Sequence, residues 1–295
     1  MTQLSVSTII QAPKEQVWEY LWDPEHIVHW SFASNDWYCP QAIGNKPQVG
    51  EMFSNTFSAK DGSFSFDFTG KYDEVVEYEI LKYTLGEMKD YFIDAGRKVE
   101  VHLKETASGV EITQIFDTED ENPHDMQIAG WKAILENFKK YVETGEKVLF
   151  IKKSVVLNTS QESVFHILTD DTLYRQWTSA FCEGSYYETN KWQVGEKIYF
   201  KSPHDGGLIS EISYFQPPYQ VGFTHLGFLT KDGAEDYESE EVHTWKGYKE
   251  IYTCKKVDAN TTELTIYQDI SENDFESFNA LWDAALRNIQ DLTKK

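Results

Sequence analysis

At 295 residues, with 40% hydrophobic and 15% aromatic side chains, the chain is long enough for two packed domains, and disorder is set aside. Its 49 acidic residues against 27 basic ones give a net charge of −22. That field repels phosphates and anionic lipid headgroups, so neither nucleic acid nor membrane is expected as a partner.

The opening "MTQLSVSTIIQAP" has no basic region, no extended apolar core and no small-residue cleavage site, so it reads as a first strand rather than a signal peptide. No apolar run approaches the roughly 20 residues that span a bilayer. Cys39, Cys182 and Cys254 are widely spaced with no CxxC, as for free packed thiols in a reducing compartment. A cytoplasmic protein is the expectation.

After Pro13, "APKEQVWEYLWD" predicts a helix, with Val17, Tyr20 and Leu21 at i, i+3, i+4 spacing. "EHIVH" then sets His26 and His29 three apart, a spacing that can place two metal ligands on one helical face. No third ligand lies nearby in sequence. A solvated helix surface is therefore expected, with no metal and no cofactor. "FSFDFTG" alternates, placing Phe64, Phe66 and Phe68 on one face of a strand, and "KVEVHLK" does the same with Val99, Val101 and Leu103. A sheet with one apolar face needs a cover, and residues 126–142 supply one. There Trp131, Leu135, Phe138 and Val142 form a stripe along one side of a long helix.

Everything then happens again. "STIIQAPKEQVWEYLWDPEHIVHW" (7–30) lies over "SVVLNTSQESVFHILTDDTLYRQW" (154–177) without a gap, matching Val17 to Val164, Leu21 to Leu168, Asp23 to Asp170 and Trp30 to Trp177. "QVGE" at 48–51 returns at 193–196, Tyr83 falls over Phe223, and Trp131 over Trp282. Matches that keep their order along the whole chain mark a tandem duplication. The seam is expected near Gly145, read as a left-handed helix cap, which divides the chain into residues 1–146 and 147–295. The expected fold class is α+β: two tandem domains, each a curved antiparallel sheet wrapped around a long C-terminal helix.

Certain words carry a family resemblance: "AP.EQVW" at 12–18, Trp30 soon after it, "VGE.F" at 49–53, "G.Y.EV" (Gly70, Tyr72, Glu74, Val75) and "GW" at 130–131. With the order of elements, they resemble the START-like (SRPBCC) helix-grip proteins, and among these the homologues of the activator of the 90-kDa heat-shock protein's ATPase. In the second copy "GLISEI" stands for "G.Y.EV" and "LW" for "GW", so this copy is the more diverged.

That resemblance implies a cavity between sheet and last helix, used in related domains for lipids, hormones or polyketides. By alternation Phe53, Phe57, Phe66, Phe68 and Tyr83 point there from the first sheet, with Trp131 and Leu135 from its helix. The second copy's counterparts are Ile198, Phe200, Phe223 and His225, with Trp282 and Leu286. Trp30 and Trp177 share a position where each could close a pocket mouth or anchor a helix. The first copy is expected to hold the better pocket, the second to be partly structural. Binding of a small hydrophobic molecule (lipid-, polyketide- or isoprenoid-like) is the leading expectation. A chaperone-associated role is the alternative, and a polyketide-cyclase-like enzyme the second alternative. No GxSxG, HExxH, Walker or dinucleotide motif occurs, so no catalytic residue is assigned. The acidic stretch 230–245 breaks the repeat and is expected to be a mobile, solvated loop or hairpin tip.

Overall fold

Period-two alternation builds the sheets of this protein, and a 3.6-residue stripe builds the helix that covers each. The computed structural model describes residues 2–86, 95–203 and 206–294, and the chain divides into two units, Met1–Val148 and Leu149–Lys295.

The first unit runs β1 (Gln3–Ile10), α1 (Lys14–Trp22), α2 (Pro24–Ile27), β2 (Trp37–Ile43), β3 (Met52–Ala59), β4 (Ser65–Val76), β5 (Ile80–Leu85), β6 (Lys98–Thr106), β7 (Gly109–Asp117) and α3 (His124–Thr144). Its seven strands among the described residues form one sheet in the order β1-β7-β6-β5-β4-β3-β2. All neighbours are antiparallel, and β1 returns to pair with β7. On β6, Val99, Val101 and Leu103 are buried; on β7, so are Val110, Ile112, Gln114 and Phe116. Leu135, Phe138 and Val142 of α3 join the same core. Phe138 is fully buried, its ring centroid 4.7 Å from that of Trp30. Such a side chain contributes about 1.5–3 kcal/mol by its burial. α3 ends at Gly145, whose φ of 70° lets its N–H reach the Tyr141 carbonyl, the left-handed cap that a residue with a Cβ adopts only at a cost.

The second unit repeats the plan with β8 (Leu149–Leu157), α4 (Gln161–Thr169), α5 (Asp171–Trp177), β9 (Tyr186–Thr189), β10 (Lys197–Ser202), β11 (Gly206–Gln216), β12 (Gln220–Leu229), β13 (Glu235–Asp236), α6 (Glu240–Trp245), β14 (Lys249–Asp258), β15 (Thr261–Ile270) and α7 (Phe275–Leu292). The sheet order is β8-β15-β14-β12-β11-β10-β9, with β13 added on β12.

Matched residues of the two copies do matched jobs. Val17 and Val164 are both fully buried. Asp23 Oδ1 accepts from Glu25 N at the start of α2, and Asp170 Oδ1 from Leu173 N at the start of α5, so each aspartate caps the second short helix of its unit. Gly50 N donates to Tyr72 O, and Gly195 N to Ile212 O. That last pair corrects the sequence comparison: Ser210 and Ile212, not Gly207 and Ile209, hold the places of Gly70 and Tyr72.

Two expectations about the surface need correction, the first only in part. The acidic stretch 230–245 does begin as a hairpin tip, the turn 230–234 between β12 and β13, but it continues into α6, with Ser239 capping that helix and Val242 buried beneath it. Tyr199, Tyr237 and Lys197 hydrogen-bond Glu235 and draw its carboxyl down to about 2. His26 and His29 are half-buried rather than solvated. His26 Nδ1 lies 2.7 Å from Tyr141 Oη with its ring stacked on Tyr20, and His29 Nδ1 lies 3.1 Å from the Val148 carbonyl oxygen. Among the described residues, no group of three or more His, Cys, Asp or Glu is placed to hold a metal, and no helix is long and apolar enough to cross a membrane.

All three cysteines are free. Burial pushes the Cys39 and Cys254 thiols up to about 12, a hydrogen bond to the Gln41 carbonyl offsetting part of the rise at Cys39, whereas Cys182 is half-exposed. Because the thiolate is the nucleophile, a disulfide reagent should modify Cys182 quickly in the folded protein at neutral pH and leave the other two until unfolding. Fast release of three equivalents would contradict this.

Candidate ligand-binding cavity

Between the first sheet and α3 lies a cavity of about 590 Å³, within the roughly 300–1,000 Å³ that small-molecule sites occupy. Phe53, Phe57, Phe66, Phe68 and Tyr83 line it from the sheet, Trp131 from α3 and Trp30 from the segment after α2. Trp30 is anchored as well, its Nε1 donating to the Tyr20 carbonyl at 3.1 Å. Leu135 does not reach the cavity. It is buried in the core of the first unit instead.

The aromatic floor depends on one glycine. A Cβ at Gly70 would fall 2.4 Å from the Phe53 ring, so the ring lies flat across a strand position where only glycine leaves room. From there Phe53 meets Tyr83 edge-on at 5.1 Å, and Phe57 stacks on Phe66 at 5.3 Å.

Alternation from bulky residues misses the polar groups of this cavity. Arg97 and Glu119 sit on its wall, both buried. Arg97 Nε and Nη2 donate to the Asp117 carbonyl at 2.9 and 2.8 Å. Burial would raise the Glu119 carboxyl, but hydrogen bonds from Asn122 and the Glu121 amide, with the charge of Arg97, bring it below the usual glutamate range. Gln127 is fully engaged with the backbone of Glu119 and Asn122. Two other amides are not. Asn55 Oδ1 and Gln114 Oε1 are buried without a hydrogen-bond partner among the described residues, and both residues line the cavity. Each such acceptor costs about 1–3 kcal/mol. Burial also lifts the Tyr72 and Tyr83 hydroxyls well above the usual tyrosine range, so both remain protonated.

The model of the family described as activator of Hsp90 ATPase homolog 1-like protein matches residues 11–143. An AHSA1-like protein from Aeromonas hydrophila is 34% identical over 49% of this chain and 94% of its own, with a TM-score of 0.44. The chain belongs to this family. Chr148 from Cytophaga hutchinsonii is 39% identical over 48% of this chain and 93% of its own, with a TM-score of 0.41. DynU16, a protein of the dynemicin biosynthetic locus, is similar along 99% of this chain and 98% of its own at 17% identity and a TM-score of 0.38. No curated protein matches.

The second unit differs from the first at the positions that line the cavity. Strand register sets Phe200 where the first unit has Asn55, and Ile266 where it has Gln114. Both orphan amides are thus replaced by apolar side chains. Phe200 fills space, edge-on to Phe223 at 4.9 Å and stacked near Tyr174 at 6.0 Å. What remains is a cavity of about 220 Å³, lined among others by Trp177, Phe200 and Trp282. Four expected wall residues of this unit pack in the interior instead. Ile198, Phe223 and Leu286 belong to the core cluster, while His225 is buried with its Nδ1 2.9 Å from Ser210 Oγ.

Proposed function

We propose that the first unit binds a small, mostly apolar molecule that also donates hydrogen bonds. The observation carrying this reading is the pair of buried, unpartnered amide acceptors, Asn55 and Gln114, on the wall of a 590 Å³ aromatic cavity. A fold that needed only packing would place apolar side chains at both positions, as the second unit does with Phe200 and Ile266. A ligand with hydroxyl or N–H groups would satisfy the amides, while Phe53, Phe57, Phe68 and Trp131 cover its rings or chains. Lipid-, polyketide- and isoprenoid-like molecules with hydroxyl groups meet that description. Binding rather than turnover is favoured because the charged wall groups, Arg97 and Glu119, are engaged with backbone groups. We further propose a cytoplasmic location, consistent with the free cysteines.

Native mass spectrometry of the full chain purified from its own host tests this. The expected result is a bound mass that denaturation releases as an organic molecule carrying hydroxyl or N–H groups. A clean apo mass that no hydroxylated apolar probe shifts would remove the cavity reading. It would leave the chaperone partner that the family's description suggests, to be sought as stimulated ATP hydrolysis.

A further inference from the structure

The second unit's small cavity holds a carboxylate that its fold does not require. Register pairs Phe223 with Glu250 in this unit and Tyr83 with Val99 in the first, so Glu250 occupies the place of a fully buried valine. Two neighbours changed with it. His225 stands where the first unit has Leu85, and Ser210 where it has Gly70. The Glu250 side chain is 16% exposed and lines the cavity. It accepts a hydrogen bond from the Tyr252 hydroxyl, and its other oxygen lies 3.5 Å from His225 Nε2. That nitrogen has no hydrogen-bond partner among the described residues, while Ser210 occupies Nδ1.

Around this carboxylate the cavity is walled by aromatic rings: Tyr174, Trp177, Phe181, Tyr252, Phe278 and Trp282. Trp282 is the hub, edge-on to Phe181 at 4.9 Å and to Tyr252 at 5.9 Å, and stacked against Trp177 at 6.1 Å. We infer that the second unit binds a small organic ammonium ion, held by the Glu250 carboxylate and the faces of these rings. Ring faces carry negative potential and attract cations, most strongly where water is excluded. A neutral apolar guest would leave Glu250 with only the Tyr252 hydroxyl and the His225 ring beside it and no cation in the cavity, and an anion would be repelled. A hard metal ion needs several oxygen ligands and finds one carboxylate. Lys201, a cation on the same wall, has its ammonium 2.6 Å from Glu188 Oε2 and so is already neutralised. Trp177, also on the wall, carries an indole N–H with no hydrogen-bond partner among the described residues, a donor for an oxygen on the guest. At 220 Å³ the space lies below the usual range for drug-sized ligands, which limits the guest to a compact ammonium such as an amino alcohol. The net charge of −22 concentrates such cations near the protein.

The test uses the full chain, choline as probe and 3,3-dimethylbutan-1-ol as its uncharged isostere, followed by calorimetry and tryptophan fluorescence. Choline should bind saturably at one site, and the isostere roughly tenfold or more weakly. Glu250→Gln, which keeps the shape and an acceptor for Tyr252, should weaken choline by at least roughly tenfold and leave the isostere unchanged. Where that variant does not fold, Phe278→Leu carries the comparison: choline binding should weaken while isostere binding holds. The assignment is overturned if choline gives no saturable signal in the millimolar range, if the isostere binds equally well, or if folded Glu250→Gln binds choline undiminished. The last result would make Glu250 and His225 an internal pair that serves packing alone.

Discussion

Placing the second unit's own residues in the first unit's cavity, as Asn55→Phe with Gln114→Ile, should abolish ligand binding and at the same time stabilise the first unit. Each native amide leaves a buried acceptor unpaired, at about 1–3 kcal/mol apiece. Isoleucine at 114 removes one penalty and adds buried apolar surface worth about 1.5–3 kcal/mol. Phenylalanine at 55 removes the other but must find room, and overpacking costs about 1–3 kcal/mol where it does not. The cavity supplies that room, and Phe200 shows the rotamer against its own sheet, edge-on to Phe223 at 4.9 Å. A net gain of about 2 kcal/mol in urea unfolding is therefore expected. Displacement of an apolar fluorescent probe should show affinity lower by roughly a hundredfold, since both the space and the polar anchors are gone. A variant that is less stable yet binds the probe as tightly as the parent would show that the two amides neither strain the apo fold nor face the guest.

Opposite effects on stability and binding explain which parts of the site could be read in the sequence. Large aromatics on alternating positions announce an inward face, and seven of the first copy's expected wall residues do line the cavity. Asn55 and Gln114 carry a weaker signal of the same kind. Gln114 interrupts the inward series Val110, Ile112, Phe116, and Asn55 lies between Phe53 and Phe57. A polar residue on an apolar face is a packing liability, and that liability is the mark of a functional position.

In the second copy the same reasoning had less to hold. β11 is irregular between Ile209 and Ser210 and again between Ile212 and Tyr214. Each irregularity shifts the side-chain alternation, so "GLISEI" could not be laid over "G.Y.EV" by counting. His225 does turn inward as alternation from Val221 and Phe223 requires, but its partners Ser210 and Glu250 come from neighbouring strands, and no local pattern pairs them. The acidic stretch was legible in its hairpin tip, 230–234, but not in the helix that follows. Composition reports mean solvation, whereas one capping serine, Ser239, and one buried valine, Val242, are enough to fold a turn of helix beneath the charges. The duplication itself was legible throughout, because the caps Asp23 and Asp170 and the core residues Val17 and Val164 are held in place by packing and hydrogen bonding that leave little freedom to change.

The two cores invite the second large effect. Phe138 is fully buried on α3 against the Trp30 ring, and Ile289 holds the corresponding place on α7. Phe138→Ala should cost about 3–5 kcal/mol, and Ile289→Ala about 2–5 kcal/mol, through lost burial and the void each leaves. We propose that the two units are separate folding domains, each with its own buried cluster. For a domain of about 150 residues, 1 kcal/mol moves the midpoint by roughly 2–4 °C, so Phe138→Ala should lower the first unit's melting by about 6–20 °C. Cys39 and Cys254, buried one in each unit, report the two transitions separately through the temperature at which each becomes reactive. Phe138→Ala should then advance the labelling of Cys39 and leave that of Cys254 in place, with Ile289→Ala doing the reverse. If either variant moves both cysteines together, the two units do not melt as separate domains, and the proposal fails.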